Sequence, residues 1–185
     1  MAVTANLTAG QVLNASTVNT YMINSGLVYV TSATVGTAVS SVTVTGAFNS
    51  TYDNYKIVMS GGTCSAGAIV TMTIGGSATG YYGILMYATY LSATPLAAAI
   101  NNGTNMPYLG GCGTAGQAIV ADFDLCNPYL AQYSRIVGAQ YSDSSYYGTT
   151  QGEHRVATSY SSFSLAPNTG TLTGGTITVY GYRKA

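Results

Sequence analysis

One imidazole, a pair of carboxylates, a glycine-rich run and three thiols are the residues of this 185-residue chain that could do chemistry. His154 stands in QGEHRVATSY between Glu153 and Arg155. A general base, or the base behind a nucleophile, needs such an imidazole held by a partner. As the only histidine, it would have to meet a serine or cysteine delivered by the fold. The local reading is a solvated strand edge with ionic neighbours. Asp122 and Asp124 in ADFDLCN are two apart, so on a strand they share a face. Paired carboxylates can bind calcium or divide acid and base work. The run lacks the oxygen-rich spacing and closing glutamate of a calcium loop. Solvent, Lys56 or Arg135 is therefore the expected partner, and no metal is expected.

The remaining patterns are weaker. Gly111, Gly113 and Gly116 in GGCGTAG match a GxGxxG pattern, but a dinucleotide site needs that pattern to open a helix. Here the strand-like AIVADFDL follows, so a turn cluster is expected. No GxSxG elbow occurs, and GGSAT at 75–79 lacks the second glycine. Cys64, Cys112 and Cys126 form no CxxC pair and have no zinc-ligand spacing. An odd number leaves at least one unpaired, and buried small hydrophobes in a reducing compartment are expected. Asn6, Asn14, Asn49 and Asn102 head sequons, with no secretion signal ahead of them. No catalytic residue, cofactor or metal emerges, and the chain is expected not to be an enzyme.

The elements that would position these residues divide at about residue 26. In LTAGQVLNASTVNTYMINSG, Val12, Ala15, Val18 and Met22 recur at helical spacing. Thr8 with Gln11 can form a capping box, and Gly26 can end the helix. A helix of roughly 10 residues needs a partner surface, so residues 1–26 read as a helical attachment arm with Val12, Val18 and Met22 as its contacts. Residues 27–185 read as one β domain. Segments such as YKIVMS, AIVTMTI, SRIVGAQY and TITVYGYR are strands separated by SGGTCSAG, NNGTN, LGGCGTAG and APNTGTLTGG. Without helical crossovers the sheet should be antiparallel. The count and length fit an all-β, jelly-roll-like sandwich of about eight strands.

Charge narrows the function. Five basic and five acidic residues give a 5% charged chain of zero net charge that is 47% hydrophobic. That composition excludes a disordered tail. Five dispersed cations do not make a nucleic-acid footprint or a polybasic membrane patch. No apolar run approaches the roughly 20 residues of a membrane helix. Soluble monomers use net charge to stay apart, so a neutral surface of hydroxyls, glycines and tyrosines suits permanent burial against copies of itself. Tyrosine dominates the aromatics, with 17 Tyr, 3 Phe and no Trp. A rigid apolar plate with a hydrogen-bonding tip serves interfaces and sugar stacking, and also serves ordinary strands.

The segments LTAGQVLNASTVNTYMINSGLVYVTS, VSSVTVTGAFNSTYDNYKIVMSGG and FSLAPNTGTLTGGTITVYGYRKA together resemble bacteriophage virion structural proteins. In that family a TAGxVLxAxxVNTY arm precedes a β domain that closes in GYR or GYK. The resemblance implies a jelly-roll-like domain, often trimeric, displayed on the particle after synthesis in the host cytoplasm. It implies an arm that docks on other virion proteins. Two non-enzymatic roles follow: a trimeric tail-associated adhesin or fibre subunit, and a capsid decoration protein clamping the head shell. For the adhesin, Tyr81, Tyr82, Asn101, Asn102, Tyr146 and Tyr147 are the expected loop contacts to a host surface glycan. A glycan-cleaving enzyme is the third, least favoured reading, for want of an acid/base pair.

Overall fold

The computed structural model describes residues 26–114, 117–141 and 146–184. The expected helical arm, with Val12, Val18 and Met22, falls outside them. Among the described residues every regular element is a strand. In chain order these are β1 (Leu27–Thr34), β2 (Val42–Val44), β3 (Asn54–Ser60), β4 (Thr63–Cys64), β5 (Ala68–Ile74), β6 (Tyr81–Thr89) and β7 (Leu96–Gly103). They continue as β8 (Gly110–Cys112), β9 (Val120–Cys126), β10 (Ser134–Tyr141), β11 (Tyr146–His154), β12 (Phe163–Pro167), β13 (Leu172–Thr173) and β14 (Thr176–Tyr182).

All pairings are antiparallel, and twelve strands share one curled sheet. Its geometry turns on a fork at β9. One edge of β9 pairs with β3 along its whole length, from Asn54↔Cys126 to Ser60↔Val120. The other edge is divided: β10 takes Phe123 to Cys126, and β8 takes Val120 and Ala121. From β3 the sheet runs outward through β14 to β1. From β10 it continues through β11 and β6 to β7. The β8 branch turns away through β5 and β12 to β2 and lies beneath the rest. Expecting eight strands undercounts the chain, because two hairpins, β6–β7 and β10–β11, extend one layer.

The strands with one covered face alternate as the period of two requires. Tyr55, Ile57 and Met59 of β3, Ala121, Phe123 and Leu125 of β9, and Ile177 and Val179 of β14 are all buried. They meet Val70, Met72 and Ile74 of β5 and Phe163 and Leu165 of β12 in one cluster. Phe48 locks the layers together, its ring 4.9 Å from Tyr55 and 5.5 Å from Phe163. A disulfide joins Cys64 to Cys112, tying β4 to β8. This corrects the expectation of unpaired thiols: the two cysteines are 48 residues apart, so only the fold brings them together. Cys126 is free and half-buried, and burial pushes its thiol up, reinforced by Asp124.

Candidate functional site

The two halves of the long layer present different surfaces on the same side. In the half built on β3, β9 and β14, that side carries a charged cluster, with Val120 and, on the neighbouring β1, Leu27 and Tyr29 exposed around it. Lys56 ion-pairs with Asp122 and lies 3.9 Å from Asp124. The Tyr182 hydroxyl donates to Asp124 Oδ1 at 2.7 Å, and that bond is the main cause pushing the phenol up to about 12. The carboxylate pair is therefore held by a lysine and a tyrosine, as partners of a polar face.

In the half built on β10, β11, β6 and β7, the register stacks a different set. Val137, Gln151, Ile84 and Ala99 form one cross-strand row. Ala139, Thr149, Met86 and Ala97 form the next, and Tyr141, Tyr147 and Ala88 the one beyond. Ile84 is 43% exposed, Met86 62%, Val137 50% and Tyr147 53%. Tyr90 and Leu91, at the β6–β7 turn, are also exposed. Strand β7 is an edge with the sequence LAAAINNG, without the charges that usually guard one.

The opposite face of these four strands is closed. The segment 106–110 runs beneath them, with the Thr150 hydroxyl donating to the Tyr108 carbonyl at 2.6 Å and the Gly110 amide to Gln140 Oε1 at 3.3 Å. Glycines make the approach possible: a Cβ on Gly152 would stand 2.2 Å from the Met106 methyl carbon.

His154 belongs to this inner face, which corrects the solvated-edge reading. Alternation sends it inward while Glu153 and Arg155 point out, and it is fully buried. Its Nε2 lies 3.1 Å from the Thr79 carbonyl and 2.9 Å from Ser77 Oγ. A carbonyl only accepts, so Nε2 carries the proton. Nδ1 is then a bare acceptor, buried with no hydrogen-bond partner. Burial pulls the imidazole below its ordinary value, against the opposing Thr79 contact. With Tyr81 4.5 Å away ring to ring, it packs as a ring; the half-buried Ser77 hydroxyl beside it faces the protonated Nε2 and donates to the Thr79 carbonyl.

At the base of the outer face, the row Arg135–Glu153–Tyr82 borders a cleft of about 430 Å³, lined also by Val137, Gln151 and Arg155. Arg155 Nε donates to Glu153 Oε1 at 2.6 Å, and its guanidinium lies 4.3 Å above the Tyr82 ring. Arg135 Nε is 4.0 Å from Glu153 Oε2.

The six expected glycan contacts lie on strands, not loops, and do not converge. Tyr81 and Tyr82 begin β6, Asn101 and Asn102 lie in β7, and Tyr146 and Tyr147 begin β11. Because Tyr146 pairs with Thr89 and Tyr81 with His154, about 26 Å of strand separates the two ends, at about 3.3 Å per residue. Tyr81 is fully buried, donating to the Ser77 carbonyl and accepting from the Ile74 amide. Asn102, at φ 51°, accepts from Thr79 Oγ1 and the Gly80 amide and so braces a turn. Tyr82, Asn101 and Tyr147 keep accessible surface. Sequence reasoning missed Arg135 as the neighbour of Glu153, since only register brings them together, and missed Gln151, which shares the Glu153 face of β11 by alternation. Gly111 lies in β8 with Gly113 just after it, Gly116 is outside the described residues, and no helix follows.

No protein-family model matches the chain, and no curated protein does. Among solved structures, the tripod from the baseplate of bacteriophage Tuc2009 is a weak neighbour. It is 11% identical, aligned over all of this chain and 76% of that one, with a TM-score of 0.20. The infectious bursal disease virus subviral particle follows at 12% identity, over 84% of this chain and 41% of that one, with a TM-score of 0.15.

Proposed function

We propose that this chain is a non-enzymatic structural protein of a phage virion surface, assembled as a homotrimer and serving as a tail-associated adhesin subunit. The observation that carries assembly is the uncovered apolar face of β10, β11, β6 and β7. Monomers rarely leave a contiguous apolar face to water, and a neutral chain has little charge to keep copies apart. Met86 and Tyr147 are the anchors of the subunit contact, with Ile84 and the β7 edge beside them. The phage assignment draws on the sequence segments that resemble virion proteins.

The strand order supports a jelly-roll core. With the two added hairpins set aside, β1-β14-β3-β9 and β2-β12-β5-β8 are two four-stranded antiparallel halves, joined through the short β8–β9 pairing. Apart from β5 and β8, which share one half, consecutive strands alternate between them in the manner of two Greek keys. Catalysis has little support on this face: Asp122 and Asp124 are held by Lys56, and His154 is enclosed.

Light scattering on the purified chain tests assembly, with three times the chain mass expected and a stable monomer counting against it. Antibody labelling of intact particles tests location: label at the tail supports the adhesin, and label spread over the head shell replaces it with capsid decoration.

A further inference from the structure

Two of the five cations of the chain, Arg135 and Arg155, border one cleft together with a single carboxylate, Glu153. Surface ion pairs contribute little to stability, and unlike the Lys56, Asp122 and Asp124 cluster this one holds an excess of cations. The three groups are unequally engaged. Arg155 is fixed, stacked on Tyr82 and hydrogen-bonded to Glu153. Arg135 is not: its side chain is 74% exposed and its approach to Glu153, at 4.0 Å, is beyond hydrogen-bond reach. A guanidinium fork open to solvent matches the planar geometry of a carboxylate. The net local charge of two guanidiniums and one carboxylate is positive.

We propose that this cleft binds a carboxylate-bearing saccharide, with Arg135 taking the carboxylate. The inference rests on the adhesin reading above and deepens it by naming the site and the ligand class. Gln151 offers an amide donor and acceptor to sugar hydroxyls. Val137 and the edge of Tyr82 supply apolar surface for the C–H face of a ring. The volume of about 430 Å³ falls at the small end of ligand sites and suits one or two sugar units. A polyanion such as nucleic acid fits poorly, because Glu153 stands beside the one open fork and no track of further cations leads away. The cleft reaches along β11 from Glu153 to Gln151, whereas the anchors Met86 and Tyr147 stand at the rows of Thr149 and Tyr147, about 7 to 13 Å further along the strand at about 3.3 Å per residue. The two contacts therefore use separate rows.

The test is a titration of the full chain, followed by NMR or calorimetry, with an oligogalacturonate, a neutral galactose oligomer of equal length, and inorganic phosphate. The acidic oligomer should bind at least about tenfold more tightly than the neutral one, as a charge-assisted pair implies, and weaken with added salt. Arg135→Gln should remove that preference, and Arg135→Lys should restore part of it. Glu153→Gln should leave binding unchanged or tighten it, since a carboxylate repelling the ligand is gone. The proposal is overturned by equal binding of the two oligomers, by no binding at millimolar concentration, or by an undiminished Arg135→Gln variant. Phosphate binding as tightly as the acidic oligomer, or Glu153→Gln weakening binding as Arg135→Gln does, overturns it as well. Light scattering on the same samples separates the two readings. A trimer that binds nothing removes this inference alone; a monomer that binds removes the assembly alone.

Discussion

Strands β3 and β9 and strands β6 and β11 lie in one layer and show the same side to solvent, yet they are dressed for different surroundings. Around β9 the outward positions include Lys56, Asp122, Asp124 and Tyr182, joined by ion pairs and a hydroxyl bond, beside an exposed Val120. Around β6 they are Ile84, Met86, Val137 and Tyr147, with the charges confined to one end. Both halves obey the same alternation and are well packed underneath. What differs is only the chemistry of the outward positions, and outward positions answer to whatever touches them. The contrast points to solvent over one half and protein over the other.

Four measurements probe that contrast. The largest effect belongs to the shared core: Phe163→Ala should cost about 3–5 kcal/mol in denaturant unfolding, because Phe48 and Phe163 stack across the layers and little can collapse into the gap. A loss under about 1 kcal/mol would mean that the layers do not pack as described. Next is the disulfide. Removing the Cys64–Cys112 link, which closes 48 residues, should cost about 2–4 kcal/mol, read as a lower Tm with reductant or in the double alanine variant. An unchanged Tm would show that the thiols are not joined.

Smaller again is the pH response at the seam where β11 meets the loop before β6. Burial holds His154 below its ordinary value in the fold, so the unfolded chain takes the proton first. Its contribution is intact above the unfolded value of about 6.5 and is lost as pH falls from there toward the lower folded value. Tm should drop between pH 7 and pH 5, and His154→Gln should flatten that slope. An equal slope in both proteins would remove His154 as the cause.

The smallest effect on folding should come from the apolar half. Ile84→Ser with Met86→Ser should change the unfolding free energy of the separated subunit by less than about 0.5 kcal/mol per site, as exposed substitutions do. The same pair should convert the light-scattering mass from trimer to monomer. A large folding loss, or an unmoved mass, would erase the distinction between the two halves.

Strands β3, β5, β10 and β14 were legible because β-branched and apolar residues alternate in them. Strand β7 was not, since LAAAI is rich in alanine, a weak strand former, and its pairing with β6 decides its state. Strand β8 is Gly110–Cys112, a glycine run that reads as a turn and becomes a strand because β5 and β9 flank it. The stretch HRVATSY reads as a strand by its own alternation, but β11 ends at His154; it begins in YYGTT, where glycine and threonine mask it. Of the site, Glu153, Arg155 and Tyr82 were each visible as residues. The meeting of Glu153 with Arg135 and Tyr82 was not, because it depends on which residue of one strand faces which of the next.

By itself the sequence determined an antiparallel β domain after residue 26, with almost no charge to spend on solvent. Composition and period-two alternation are local properties, and they survive without knowledge of partners. Only the tertiary structure decided that Cys64 meets Cys112, that His154 faces inward, that Lys56 stands between two aspartates, and that one half of a sheet lies bare. Each of these is a pairing between distant segments. One residue of slip in register would send His154 outward and Glu153 inward, and no local pattern fixes that choice.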